Sequence, residues 1–131
     1  MTATQGTGEK SRGLVLVVDD HAESRDLYDQ VLGAAGYSVV SAESLEQALV
    51  ITGAIVFDLV VIDVGRPGLN GFDLAQGLHA QGRPRPRLLA VAGRSPEDAS
   101  TETVLFDAYL IKPWLPEKLI AVVTDLLATR G

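Results

Sequence analysis

Four side chains able to do chemistry fall at matching places in this sequence. Asp19 and Asp20 follow the apolar run LVLVV, Asp63 ends LVVID, and Lys112 follows AYLI and precedes Pro113. Each stands where a hydrophobic run stops. A carboxylate at such a place costs free energy unless water or a cation stabilises it. Three carboxylates in one cleft repel each other unless a cation sits among them. The set offers oxygen ligands with no His or Cys, which favours a hard ion. Mg²⁺ commonly takes one or two carboxylates and keeps several waters. An Asp carboxylate can also accept a phosphoryl group as an acyl phosphate. A metal and a lysine would then neutralise charge on the transferred group.

The elements that must position these residues read as alternating strands and helices. Strands are expected at 14–18, 37–42, 58–63, 87–92 and 108–111, each a short apolar or β-branched run. Leu27, Val31, Leu32 and Ala35 recur at helical spacing over 22–35, and Gly36 follows as a stop. Ser44, with Gln47 three places on, predicts a capping box for a helix ending near Gly53. Gly71 opens a third helix with Phe72, Leu74, Ala75 and Leu78 facing inward. Ser95 and Pro96 start a fourth over 95–106, whose polar, β-branched middle predicts a short or mobile element. Leu115, Leu119, Val122, Val123, Leu126 and Leu127 mark the last helix, with Pro116 near its start. Continuous rather than alternating apolar strands indicate a parallel sheet covered on both faces. Ligands of such sheets bind outside the carboxyl ends of the strands, where all four polar residues stand. Helix capping alone could explain Asp19 or Asp20, but not three acids and one lysine on a single edge.

Composition narrows the classes. The chain has 131 residues and is 47% hydrophobic, enough for one domain at 13–129 behind a flexible tail at 1–12. Its net charge of -6 argues against a nucleic-acid-binding surface. The one basic stretch, Arg83, Arg85 and Arg87 in QGRPRPR, reads as a solvated loop. No apolar run reaches transmembrane length and no signal-peptide core is present, so a cytoplasmic protein without a membrane partner is expected. Cysteine is absent, which removes thiolate chemistry.

From about Leu14 to Leu127 the chain resembles the receiver domain of two-component response regulators, including the single-domain chemotaxis type. LVLVVDDH matches the family's first strand and acidic pair, VVIDVGRPGLNGFDLA its phosphoacceptor strand and following loop, and FDAYLIKPW its fifth strand with the Lys-Pro. The resemblance implies a flavodoxin-like, doubly wound five-stranded sheet in the order 2-1-3-4-5. It implies Asp63 as phosphoacceptor, with Mg²⁺ held by Asp19, Asp20, Asp63 and the backbone carbonyl of Gly65. Lys112 would contact the phosphoryl group, and Tyr109 would be the aromatic that rotates on activation. The donor would be a sensor histidine kinase, a phosphotransfer protein or a small acyl phosphate. The output would be a contact with a downstream protein, made by a free-standing module that catalyses only its own phosphorylation and dephosphorylation.

Departures from the family pattern carry information too. Ala92 stands where family members carry Thr or Ser, whose hydroxyl bonds the phosphoryl group and draws the next loop inward. An unmade hydrogen bond to a charged group is worth about 1.5–3 kcal/mol, enough to weaken the switch by an order of magnitude or more. Arg66 and Arg94 could supply a replacement donor, or be solvated loop residues. Leu105 replaces a usual Gly before the fifth strand. His21 reads as a helix-start residue, His79 as surface, and Trp114 either packs locally or joins Tyr109 on a partner surface. Two rival readings follow. One is a degenerate receiver that binds protein without phosphorylation. The other is an Asp63-based phosphohydrolase, disfavoured because Gly65 occupies the usual general-acid place. A flavin protein of similar topology is disfavoured by the acidic DDHAES loop, which would repel phosphate.

Overall fold

The computed structural model describes residues 11–64, 71–81, 85–93 and 106–128. Its elements run β1 (Leu14–Val18), α1 (Ala22–Ala34), β2 (Ser38–Ala42), α2 (Leu45–Ala54), β3 (Leu59–Asp63), α3 (Gly71–Ala80), β4 (Arg87–Ala92), β5 (Ala108–Ile111) and α4 (Pro116–Ala128). The strands form one sheet in the order β2-β1-β3-β4-β5, with every pairing parallel. The helix expected over 95–106 lies outside the described residues up to 105, and Phe106 itself is not helical.

Alternation along the strands sorts the core into two layers. Val15, Val17, Leu59, Val61, Leu89, Val91 and Leu110 face α1 and α4, meeting Tyr28, Leu32, Leu119 and Val123. Leu16, Val18, Val60, Ile62 and Leu88 face α2 and α3, meeting Ala48, Leu74, Ala75 and Leu78. Burial of each aliphatic side chain contributes roughly 1.5–3 kcal/mol. With both faces covered, the central strands must be apolar throughout, which is why they read as unbroken hydrophobic runs.

The ends of the elements set the edges. Ser44 Oγ accepts from Gln47 N at 3.1 Å, and Gln47 Oε1 accepts from Glu43 N at 2.7 Å, so the capping box forms with its return bond one residue early. Gly36 takes φ +102° after α1, a conformation costly for other residues. A Cβ on Gly71 would run into Val64 Cγ1 and lie 3.1 Å from Ile62 Cγ2. Glycine there lets α3 start hard against the end of β3.

Two of the apolar residues that mark helices in the sequence lie outside the core. Leu27 is 48% exposed and Leu115 66% exposed. The helical stripe of α1 turns on Tyr28 and Leu32, so Leu27 falls one position off it, and Leu115 precedes the first turn of α4. Strand starts also move by one residue. Asp58 and Tyr37 lie just before β3 and β2, and their side chains make tertiary contacts there. Contacts with the fold begin early in the chain: Arg12 donates to Ala35 O and lies 4.8 Å over the Tyr37 ring.

Candidate functional site

Register brings the polar residues to one edge. Val18 pairs with Ile62, so Asp19 and Asp63 occupy the next rung of neighbouring strands, whose spacing is about 4.8 Å in such sheets. Asp63 pairs with Val91, and Ala92 with Ile111. The ladder continues past the strand ends: Asp19 N donates to Ala42 O at 3.1 Å, and Lys112 N to Ala92 O at 2.8 Å. Asp19, Asp63 and Lys112 share the alternation of Val17, Val61 and Leu110, the side facing α1 and α4.

Asp63 is 2% exposed and Asp19 fully buried. Lys112 Nζ lies 2.7 Å from Asp63 Oδ2, an ion pair between a buried carboxylate and a side chain still 34% exposed. Burying such a carboxylate is tolerable because the ammonium sits at hydrogen-bond distance. Asp19 Oδ1 accepts from His21 N at 2.9 Å. The other oxygens, Asp19 Oδ2 and Asp63 Oδ1, are buried and accept no hydrogen bond among the described residues. Asp20 is exposed. No group of three or more His, Cys, Asp or Glu side chains placed to hold a metal occurs among the described residues. Mg²⁺ needs fewer, since one or two carboxylates and several waters satisfy it. An oxygen-only set with two buried acids fits that ion.

The structure places the other sequence-predicted residues as follows. His21 is the N-cap of α1, as expected, with Nδ1 3.2 Å from Ser24 Oγ. His79 is exposed near the end of α3. Ala92 is half-buried at the end of β4. Tyr109 pairs with Ala90 on the face opposite to Lys112 and packs edge-on against Phe106, centroids 5.6 Å apart. Trp114 packs against α1, 5.1 Å from the ring of Tyr28, a contact across the fold and not a local one. Beside Lys112 a cleft of about 180 Å³ opens, lined by Ser24, Leu27, Tyr28, Pro113 and Trp114. Gly65, Arg66, Arg83, Arg94 and Leu105 lie outside the described residues. Arg85 and Arg87 pair with Asp107 at 3.2 and 3.6 Å.

Sequence reading missed Arg25, whose Nη1 donates to the Asp19 carbonyl at 2.8 Å. Its only signal was a long donor in the early turns of the helix that follows the acidic pair. Also missed were Asp58 and Asp107, although the repeated Phe-Asp before β3 and β5 was visible.

A parallel doubly wound sheet in this order is the architecture of CheY-type proteins. The chemotaxis response regulator CheY4 of Vibrio cholerae superposes with a TM-score of 0.78 at 26% identity, over 87% of this chain and 98% of that one. The response regulator TrrA of Thermotoga maritima, in complex with Mg²⁺ and BeF, superposes with a TM-score of 0.77 at 27% identity, over the same shares. The model of the response regulator receiver domain matches residues 15–124, and the chain belongs to that family. Among curated relatives, the two-component response regulator PhoP of Pseudomonas aeruginosa is 35% identical over 86% of this chain and 51% of its own length. A probable transcriptional regulator, ycf27 of Porphyra purpurea, is 31% identical over 91% and 49%. The chain spans about half the length of these relatives. Domains of this family accept a phosphoryl group with Mg²⁺ in two-component signalling and are not enzymes for an outside substrate. No helix among the described residues is long and apolar enough to cross a membrane.

Proposed function

We propose that Asp63 is the residue that takes the phosphoryl group. The observation that supports this most is the 2.7 Å pair between its buried carboxylate and Lys112 at the ligand-binding edge of the sheet. A carboxylate oxygen of Asp63 attacks phosphorus of a phosphohistidine on a sensor kinase or phosphotransfer protein, or of a small acyl phosphate. The P–O bond to Asp63 forms, and the bond to the donor's nitrogen or oxygen breaks. The electron pair leaves on the donor. Lys112, released from Asp63 Oδ2, follows the transferred oxygens and balances their charge. Asp19, Asp20 and Asp63, with the Gly65 carbonyl, would hold Mg²⁺, which supplies a second positive centre for the phosphoryl oxygens. Water, in an autodephosphorylation step, returns the carboxylate and inorganic phosphate. No outside substrate is turned over.

The output of phosphorylation is a changed contact with a downstream protein in the cytoplasm, with Tyr109 as the residue that reports the site's state. The switch is atypical because Ala92 offers a methyl where a hydroxyl would bond the phosphoryl group. Ala92 also favours a second reading, a binding module indifferent to phosphorylation. Both are tested by incubating the protein with Mg²⁺ and acetyl phosphate and measuring intact mass, beside Asp63→Ala. A phosphoryl-sized increment lost in the variant supports the acceptor. No increment in the wild type favours the binding module.

A further inference from the structure

We propose that Arg25 is a positioning residue for the acidic pocket, setting its affinity for the divalent cation. The inference rests on the reading of Asp19 as a cation ligand. Asp19 links a buried strand end to the start of α1, and three hydrogen bonds among the described residues help to hold it. Its N–H donates to Ala42 O, its Oδ1 accepts from His21 N, and its carbonyl accepts from Arg25 Nη1. The first two contacts come from backbone groups fixed by the sheet and the helix. The third comes from a side chain, so it can be removed without breaking either element.

Arg25 can reach because side chains of a helix lean toward its N-terminus. From the early turns of α1 the guanidinium folds back over the turn joining β1 to the helix. The choice of acceptor matters. By binding the carbonyl and not the carboxylate, Arg25 fixes the turn without adding a contact to the acid's own oxygens. The partly buried contact also holds a positive charge beside Asp19.

Charge and position predict opposite results, which makes the inference testable. If Arg25 acted only as a charge, its loss would tighten cation binding by removing repulsion. If it positions the turn, its loss weakens binding, roughly tenfold, the low end for groups that orient metal ligands. Mn²⁺ binding to the unphosphorylated full chain, followed by the loss of the free-ion paramagnetic resonance signal, reads this directly. Arg25→Ala should raise the dissociation constant about tenfold, and Arg25→Lys should recover part of the loss. The Mg²⁺ concentration for half-maximal acetyl phosphate labelling should rise in parallel, with full labelling at saturation. An unchanged or tighter constant in Arg25→Ala overturns the positioning role. So does labelling that saturating Mg²⁺ does not restore, which would mark general loss of structure. Absence of Mn²⁺ binding in the wild type overturns the cation site itself and this inference with it.

Discussion

At the amino-terminal edge of the sheet, Asp58 and Asp107 stand just before β3 and β5. At the opposite edge, Asp19 and Asp63 close β1 and β3. The first pair share one device. Asp58 Oδ2 accepts from Leu14 N at the start of β1, 2.8 Å away, and Asp107 Oδ2 from Leu88 N in β4, 2.7 Å away. Each carboxylate bonds the neighbouring strand where the ladder begins, and Asp107 adds ion pairs to Arg85 and Arg87. In both, one partner is a backbone N–H that the neighbouring strand fixes. Asp63 instead faces a lysine on a flexible stem, whose ammonium can shift when a phosphoryl group arrives. One edge uses carboxylates to register strands, the other keeps them for reaction. The difference is clearest between Asp58 or Asp107, each bonded to a strand N–H, and Asp63, paired with Lys112.

That contrast can be broken experimentally. Asp63→Asn should abolish acetyl phosphate labelling completely while the protein stays folded, since the amide keeps the side chain's shape and removes the nucleophile. Circular dichroism and intact mass together check it. Lys112→Ala should slow labelling about ten- to hundredfold, the worth of one hydrogen bond to a charged group, read from the rate of mass increment. Chelation of the metal should stop labelling in the wild type.

Ala92→Thr should sharpen the switch by about tenfold or more. The measurement is the shift of the Tyr109 amide resonance on adding beryllofluoride and Mg²⁺. An unchanged response would mean that the missing hydroxyl is not what limits switching. At the other edge, Asp107→Ala should destabilise by about 1–3 kcal/mol, because the Leu88 N–H loses its acceptor. Urea unfolding reads this, and labelling of the folded fraction should be unaffected. Loss of labelling in that variant would erase the division between the edges.

The strands and the reacting residues were legible because a buried parallel sheet leaves only its ends for polar groups. LVLVVDD and LVVID therefore announced both element and site at once. Side-chain partners were less legible. Leu27 carries the same hydrophobic signal as Tyr28, yet the stripe that meets the sheet passes through Tyr28 and Leu32. Arg25 and Asp107 act through backbone atoms of Asp19 and Leu88, and hydrophobic periodicity does not encode those partners. Trp114 could be read either way from sequence, and its tilted contact with Tyr28 joins two elements far apart in the chain.

The most direct test of the division between edges is to locate the phosphorylated residue. Reduction of the labelled protein with borohydride converts an aspartyl phosphate to homoserine, which peptide mass spectrometry then places. Conversion at Asp63 alone is the predicted result. Conversion at Asp19, Asp58 or Asp107, or none despite a phosphoryl-sized mass increment, would contradict the assignment of Asp63 as acceptor.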